Sequence, residues 1–347
     1  GKLMNEMGIE PIEWTKHRNP SWNSKVLESL EAYPVAKAVS DYRSLRTLAS
    51  GALANLPNVL DTRGYLHPSY DSVGSESGRF TGRTRAGREN KGERINLMGI
   101  PDVKEIRDLF IAPSGFLWGK IDESQIENRG MAHYSEDPGL VQGYVENPDI
   151  DFYNLAGRLA YDREITLEER APLKTAVLAR NYGAQAKKIA KTLRRSVEWT
   201  EDFLRHLDAK MPGVQGFFAV VAEQIRRDGY VVGEDWPSHL DRRVAYQGVN
   251  RTIQSACAVH QKRLIIQVHQ ETQPYRDEIR MVHHVHDEIN WVIRKDVVKK
   301  WLPILVDLMT SGWNWRVPVR CKIEIGRSWA GGLTLKQSDL PAYLAPS

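Results

Sequence analysis

Two short stretches rich in apolar residues, FLWGKI at 116–121 and INWVI at 289–293, each border a pair of carboxylates, Asp122-Glu123 in the first and Asp287-Glu288 in the second. In the second, Ile289, Trp291 and Ile293 recur at every other position, the period of a half-buried strand whose successive side chains face opposite ways. Most of the sequence between the two stretches has the three- and four-residue apolar spacing of helices. A fold that uses both stretches as strands must therefore join distant parts of the chain in one sheet and carry a helical insertion between them. This predicts an α+β architecture with a divided core.

The acids sit where such strands end. Val282 and Val285 belong to an incoming strand, which leaves His286-Asp287-Glu288 at a tight reversal and puts both carboxylates near a hairpin tip. Adjacent carboxylates repel and lose hydration there, so either their pKa values rise or a cation neutralises them. Oxygen ligands select hard ions such as Mg²⁺ or Mn²⁺. An acidic surface turn fits the same residues, while a zinc site built on His284 and His286 lacks a partnering Cys or His motif. Asp122 ends FLWGKI just before ESQIENRGMAHY, whose Ile126, Met131 and His133 have helical spacing, so a helix-capping role also fits it. Two such acids on a shared sheet would suit two metal ions ~4 Å apart, the arrangement that steadies attacking and leaving oxygens in phosphoryl transfer.

Elsewhere, residues 1–60 read as helices, through SKVLESLEAY and AKAVSDYRSLRTLAS, and 61–100 are rich in Gly, Ser and Arg. IRDLFIAPSGFLWGKIDES suggests two strands joined at Pro113-Ser114-Gly115. A mostly helical region spans 124–228, a further helix VNRTIQSACAVHQKRLIIQVHQET precedes the acidic hairpin, and a helix VKKWLPILVDLM and a last strand VRCKIEIG follow it. The 347 residues suffice for about two domains or one divided one. A net charge of +4 is too small to specify a nucleic-acid partner by itself. Only Cys257 and Cys321 are present, far apart, which points to a reducing compartment rather than a disulfide framework or a structural zinc. No apolar run reaches the ~18 residues of a membrane span, and GKLMNEMGIE lacks the apolar core of a signal peptide. The protein is expected in the cytoplasm, and not as a secreted or membrane protein.

Between the two acidic sites lies ITLEERAPLKTAVLARNYGAQAKK. Thr166 and Glu169 have the spacing of a capping box for a short first turn, and Pro172 is tolerated early in the helix that follows. Arg170, Lys174, Leu178 and Tyr182 then fall at four-residue intervals, with Gly183 next. A cationic stripe ending in an aromatic suits a triphosphate at one end and a base at the other. An amphipathic helix with solvated cations fits the same text.

With these motifs in hand, the chain resembles the family A DNA polymerases. DESQIENR, then Arg170-xxx-Lys174-xxxxxxx-Tyr182-Gly183, then VHDE stand in the order of the family's three motifs. Flanking text agrees in YPVAKAVSDYRSLRTL, SGRF before INLMGIP, SEDPGL, NRTIQ and EIGRSW, so the likeness spans roughly 10–330. It implies a right-hand fold with an antiparallel palm sheet: a partial thumb at 1–60, palm at 61–140 and 245–347, and helical fingers at 141–244. It leaves no room in this chain for an exonuclease domain, so proofreading is expected to be absent.

The resemblance also implies roles. Asp122 and Asp287 would hold two Mg²⁺ ions, or Mn²⁺, with the backbone carbonyl of Glu123 as a further donor and Glu288 as an accessory acid. Arg170 and Lys174 would bind the triphosphate of a deoxynucleoside triphosphate, with Lys174 as proton donor to pyrophosphate, while Tyr182 stacks near the template base. Gln125 belongs to the first motif at the nucleotide site, Leu178 faces the sugar, and Glu127 excludes a 2′-hydroxyl. Arg79, Asn250, Gln254 and His286 would line the end of the primer-template DNA, reading minor-groove acceptors that correct base pairs share. Arg83 and Arg85, with Arg88, Lys91 and Arg94, would meet backbone phosphates. The expected enzyme is a monomeric DNA-directed DNA polymerase; a noncatalytic nucleic-acid-binding protein on this scaffold and a single-subunit RNA polymerase are the alternatives. Several positions depart from the family pattern: Leu178 stands for an aromatic, Glu123 for a Tyr, Tyr246 for an Arg, and Asp149-Ile150-Asp151 for Asp-Ile-His. A carboxylate at Asp151 would repel a triphosphate unless turned away.

Overall fold

The structure, a computed structural model, describes residues 2–15, 17–30, 32–50, 54, 56–82, 96–181 and 184–345. They fall into two compact units, 2–69 and 70–82 with 96–345. The first is helical: α1 (Lys2–Glu6), α2 (Ser24–Ser29) and α3 (Pro34–Leu48). The Asn23 side chain caps α2 by accepting from the Val26 N–H, and Pro34 opens α3, where its missing N–H costs nothing. Met4, Ile9, Trp22, Val26, Leu27, Leu30 and Ala36 form the core of this unit.

The second unit begins with a small strand pair, β1 (Tyr70–Asp71) and β2 (Thr81–Gly82), followed by one helical turn, α4 (Lys104–Arg107), and β3 (Phe116–Glu123). Seven helices come next: α5 (Ile126–Ser135), α6 (Pro138–Glu146), α7 (Phe152–Tyr161), α8 (Leu167–Asn181), α9 (Ala186–Leu193), α10 (Val197–Lys210) and α11 (Pro212–Asp228). A hairpin of β4 (Tyr230–Gly233) and β5 (Trp236–His239) leads to the long α12 (Gly248–Thr272). The chain then adds β6 (Ile279–Val285), β7 (Glu288–Arg294), α13 (Val298–Ser311), β8 (Cys321–Ser328), β9 (Gly331–Lys336) and α14 (Leu340–Leu344).

The main sheet is antiparallel in the order β6-β7-β3-β8-β9. Its central strand therefore precedes the helical insertion and both of its neighbours follow it, the divided α+β core that the two acidic stretches predict. Alternation decides what each face carries. Ile121, Ile289, Trp291, Ile293, Ile323 and Ile325 are buried with Trp301, Leu302, Leu305 and Met309 of α13 and with Leu264 and Val268 of α12. Burying each such side chain contributes about 1.5–3 kcal/mol. The alternate residues, Lys120 and Asp122 of β3, Glu288 and Asn290 of β7, Lys322 and Glu324 of β8, are aligned across the strands on the other face.

The insertion has its own core, including Leu140, Tyr144, Leu155, Leu173, Leu207 and Ile225, which continues into Met131 of α5 and Ile253 of α12. The buried Asp137 caps α6 through Gly139 and Leu140 and also accepts from the Gly213 N–H at 2.9 Å, joining α6 to the start of α11. A Cβ on Gly213 would lie 2.6 Å from the Asp137 Cα, so only glycine permits that approach.

Three expectations change. Residues 106–123 hold one strand of the main sheet, not two: Ile111 makes a single bridge to Ser328 beyond the helical turn, and Pro113 then offers no N–H to extend it. β9 completes the edge of the sheet, a strand whose Gly331-Gly332 start weakens the alternation signal. The capping box is present, with Thr166 N–H donating to Glu169 and Glu169 N–H to Thr166 Oγ1, but it opens α8 itself, so Pro172 lies inside one continuous helix. No helix among the described residues is long and apolar enough to cross a membrane.

Candidate active site

Strand register brings the acids together. Asp122 pairs with Glu288 across β3 and β7, and the Glu123 N–H donates to the Asp287 carbonyl at 3.2 Å. His286 and Asp287 form the two-residue connection between Val285 and Glu288, with His286 in the left-handed region at φ 54°. Withdrawal from solvent raises the pKa of Asp122 to about 8, and the neighbouring charges of Asp287 and Glu288 push the same way. Asp287 rises to about 6, again mainly through burial, with Arg79 opposing and Glu127 and Glu288 reinforcing. Lys322 and Lys120 offset only part of this negative charge at Asp122.

Two half-buried carboxylates with uncompensated charge form an oxygen donor set that fits a hard divalent cation. Among the described residues no three His, Cys, Asp or Glu side chains are grouped as a metal cage. Two carboxylates leave an ion's remaining positions to water and substrate phosphates, the way Mg²⁺ is commonly held. A pH dependence follows. Because both folded-state pKa values exceed the ordinary carboxylate value of 3.8, the metal-free fold loses stability as pH rises from that value through about 6 and about 8. Divalent ions compete with those protons, so the rise in thermal midpoint on adding saturating Mg²⁺ is expected to be larger at about pH 8 than at about pH 6. Equal rises, measured by thermal unfolding at the two pH values, would place the metal elsewhere.

Glu288 is held away from full exposure. Its Oε1 accepts from Asn290 Nδ2 at 2.7 Å and Trp329 Nε1 at 3.1 Å, and Lys120 Nζ lies 3.9 Å from its Oε2. The same Lys120 amine is 3.0 Å from Glu324, and Trp118 Nε1 donates to Asn290 Oδ1 at 2.7 Å. Lys120, Trp118 and Asn290 belong to this network around Glu288 and are not marked by the motifs; their signal is the lone lysine inside FLWGKI. Glu123 lies on the opposite side of the strand from Asp122. Its carboxyl accepts from Trp313 Nε1 at 3.0 Å, sits 3.6 Å from His260 Nε2, and is pushed well up by burial. Its side chain is thus buried and engaged on that face, which leaves the backbone carbonyl as its donor toward a metal beside Asp122.

Of the residues expected at the primer end, Arg79 and His286 lie beside Asp287, and Gln254 joins them through Glu127. Arg79 pairs with Glu127, and Gln254 Nε2 donates to the same Glu127 oxygen at 3.4 Å. Arg79, His286 and Asp287 border one small cavity with Cys257, Gln261 and His284. Asn250 and Gln254 border another with Gln247 and Arg251. Arg83 and Arg85, with Arg88, Lys91 and Arg94, lie outside the described residues.

On α8, Arg170 donates from Nε and Nη2 to the two oxygens of Asp151, at 3.2 and 2.7 Å. Lys174 is exposed, its Nζ 5.6 Å from the centre of the Tyr153 ring, over which Arg170 also lies at 5.5 Å. Gln125, in the left-handed conformation at the start of α5, donates to Asp151 at 2.9 Å and accepts from the Phe152 N–H at 2.8 Å. Leu178 is half-buried against the helical core, and Tyr182 lies outside the described residues.

The chain is similar to known proteins. DNA polymerase I of Chloroflexus aurantiacus is 28% identical over 94% of this chain, and the thermostable DNA polymerase I of Thermus aquaticus is 27% identical over the same share. The chain spans 36% and 40% of those two relatives' lengths. Among solved structures, the POL domain of Pol1 from M. smegmatis in complex with DNA primer-template and dNTP shares the fold, with a TM-score of 0.83 at 24% identity over 95% of this chain and 60% of that one. The model of DNA polymerase family A matches residues 1–331, and the chain belongs to that family.

Proposed function

We propose that this chain is a template-directed DNA polymerase that extends a primer 3′-hydroxyl with deoxynucleotides. The observation that carries it is the meeting of Asp122 and Asp287 at the β3–β7 edge, with more negative charge than the protein around them neutralises. Relatives named DNA polymerase I support the same class of reaction.

In this proposal Asp122 and Asp287 hold two Mg²⁺ or Mn²⁺ ions, with the Glu123 carbonyl as a further donor. When bound, the ions supply the positive charge that acidifies the primer hydroxyl and offsets the charge leaving with pyrophosphate. Glu288, fixed by Asn290, Trp329 and Lys120, stands beside them as an accessory acid. Arg170 and Lys174 bind the triphosphate, and Lys174 gives a proton to the departing pyrophosphate. Glu127, held by Arg79 and Gln254, closes the floor of the sugar site against a 2′-hydroxyl. Arg79, Gln254, Asn250 and His286 test the shape of the terminal base pair, Tyr182 stacks at the insertion site, and Arg83 and Arg85 meet phosphates. Residues 1–60 act as thumb, 61–140 and 245–347 as palm, and 141–244 as fingers of a monomer.

A primer-extension assay with Mg²⁺ and four deoxynucleotides tests this proposal. Product lengthening directed by the template is expected, and much less with ribonucleotides. Duplex binding without incorporation would favour the noncatalytic alternative, for which the engagement of Arg170 by Asp151 is the one specific observation. Preferential use of ribonucleotides would favour RNA synthesis.

A further inference from the structure

The carboxylate of Asp151 is unusually well satisfied. Its Oδ1 accepts from Arg170 Nε and from the N–H groups of Tyr153 and Asn154, the last two at 3.1 Å, while Oδ2 accepts from Arg170 Nη2 and Gln125 Nε2. Nε and Nη2 form the edge of a guanidinium that grips a carboxylate or a phosphate with two parallel bonds. Arg170 therefore already holds an internal anion on the edge a triphosphate would take. The neighbouring Tyr153 faces both Arg170 and Lys174. Asn128 of α5 neighbours Tyr153, so the start of α7 links the first-motif helix to both cations of α8.

From this geometry we infer that Asp151 is an internal competitor that sets nucleotide affinity: its carboxylate occupies the Arg170 fork in the nucleotide-free protein, and the incoming triphosphate must displace it. The inference rests on the polymerase proposal for the identity of the nucleotide, but not for the competition itself. Two anions cannot share one fork without repulsion, and the pair is partly solvent-exposed, at 32% for Arg170 and 23% for Asp151, so exchange needs no unfolding. Asp151 also stands where the family pattern has a histidine, which carries no such negative charge.

Asp151→Asn separates the charge from the fold, because asparagine caps a helix as well as aspartate does. The variant is expected to lower the KM for deoxynucleoside triphosphates by roughly three- to tenfold, the scale of a partly exposed charge pair, with kcat nearly unchanged. Structural damage would raise KM or lower kcat, not tighten binding. Asp151→Ser, a second capping residue without charge, should act in the same direction. Independently, calorimetric titration of the metal-free full chain with tripolyphosphate should show tighter binding by both variants than by wild type. Binding no tighter in either variant overturns the inference and makes Asp151 an orienting partner of Arg170. Absence of primer extension by the wild type would remove the polymerase proposal, while the tripolyphosphate titration would still decide the role of Asp151.

Discussion

Asp122→Asn and Asp287→Asn are each expected to reduce primer extension by roughly a thousandfold or more, since each removes several kcal/mol of charge stabilisation from the reacting phosphate. Both should at the same time make the metal-free protein more stable near neutral and alkaline pH. The sign follows from burial: each aspartate has a folded-state pKa above 3.8, so ionising it opposes folding, and asparagine cannot ionise. For a domain of this size each kcal/mol relieved raises the thermal midpoint by about 2–4 °C. Below the ordinary carboxylate range the wild type is protonated as well, and the advantage should vanish. Single-turnover extension together with thermal unfolding in a chelator checks both halves, with duplex affinity as a control for the DNA surface. A variant that loses extension and stability in parallel would be misfolded rather than disarmed, and one that extends at the wild-type rate would remove the acid from the site.

How far this site was legible depended on whether its residues interact along the chain or across it. The period-two pattern of Ile289, Trp291 and Ile293 is a local consequence of one buried face, so β7 and its hairpin tip were readable, and with them the meeting of Asp287 with Asp122. Strand alternation also contained the orientation of Glu123, one residue past Asp122 and therefore on the other face, where Trp313 and His260 receive it. The partnership of Asp151 with Arg170 joins the starts of two helices and has no periodic trace. The four-residue spacing of α8 shows that Arg170 and Lys174 share a face, but not that Asp151 and Tyr153 already attend them. Likewise, Lys120 reads as an interruption of an apolar strand until Glu288 and Glu324 are placed beside it by register. The thin signal for β9 has a different cause: Gly331 and Gly332 supply no side chains to pattern, and the strand is recognised by its pairing with β8.

The two cations of α8 should fail in different ways when altered, and Lys174 should be the more costly to lose. Among the described residues no carboxylate forms an ion pair with Lys174, whereas Arg170 is occupied by Asp151. A lysine amine can both attract a triphosphate and surrender a proton; a guanidinium remains protonated and can only attract. Lys174→Ala is therefore expected to lower the single-turnover rate by about a hundredfold or more, the usual contribution of a general acid, with a smaller rise in KM. Arg170→Ala should act mainly on KM, because under the proposal it removes binding common to ground and transition states and leaves Lys174, the proposed proton donor, in place. Lys174→Arg distinguishes charge from proton transfer: nucleotide affinity should stay near wild type while the rate remains low. Recovery of the wild-type rate by Lys174→Arg would mean that positive charge at this position suffices, and the proton delivered to pyrophosphate would have to come from water.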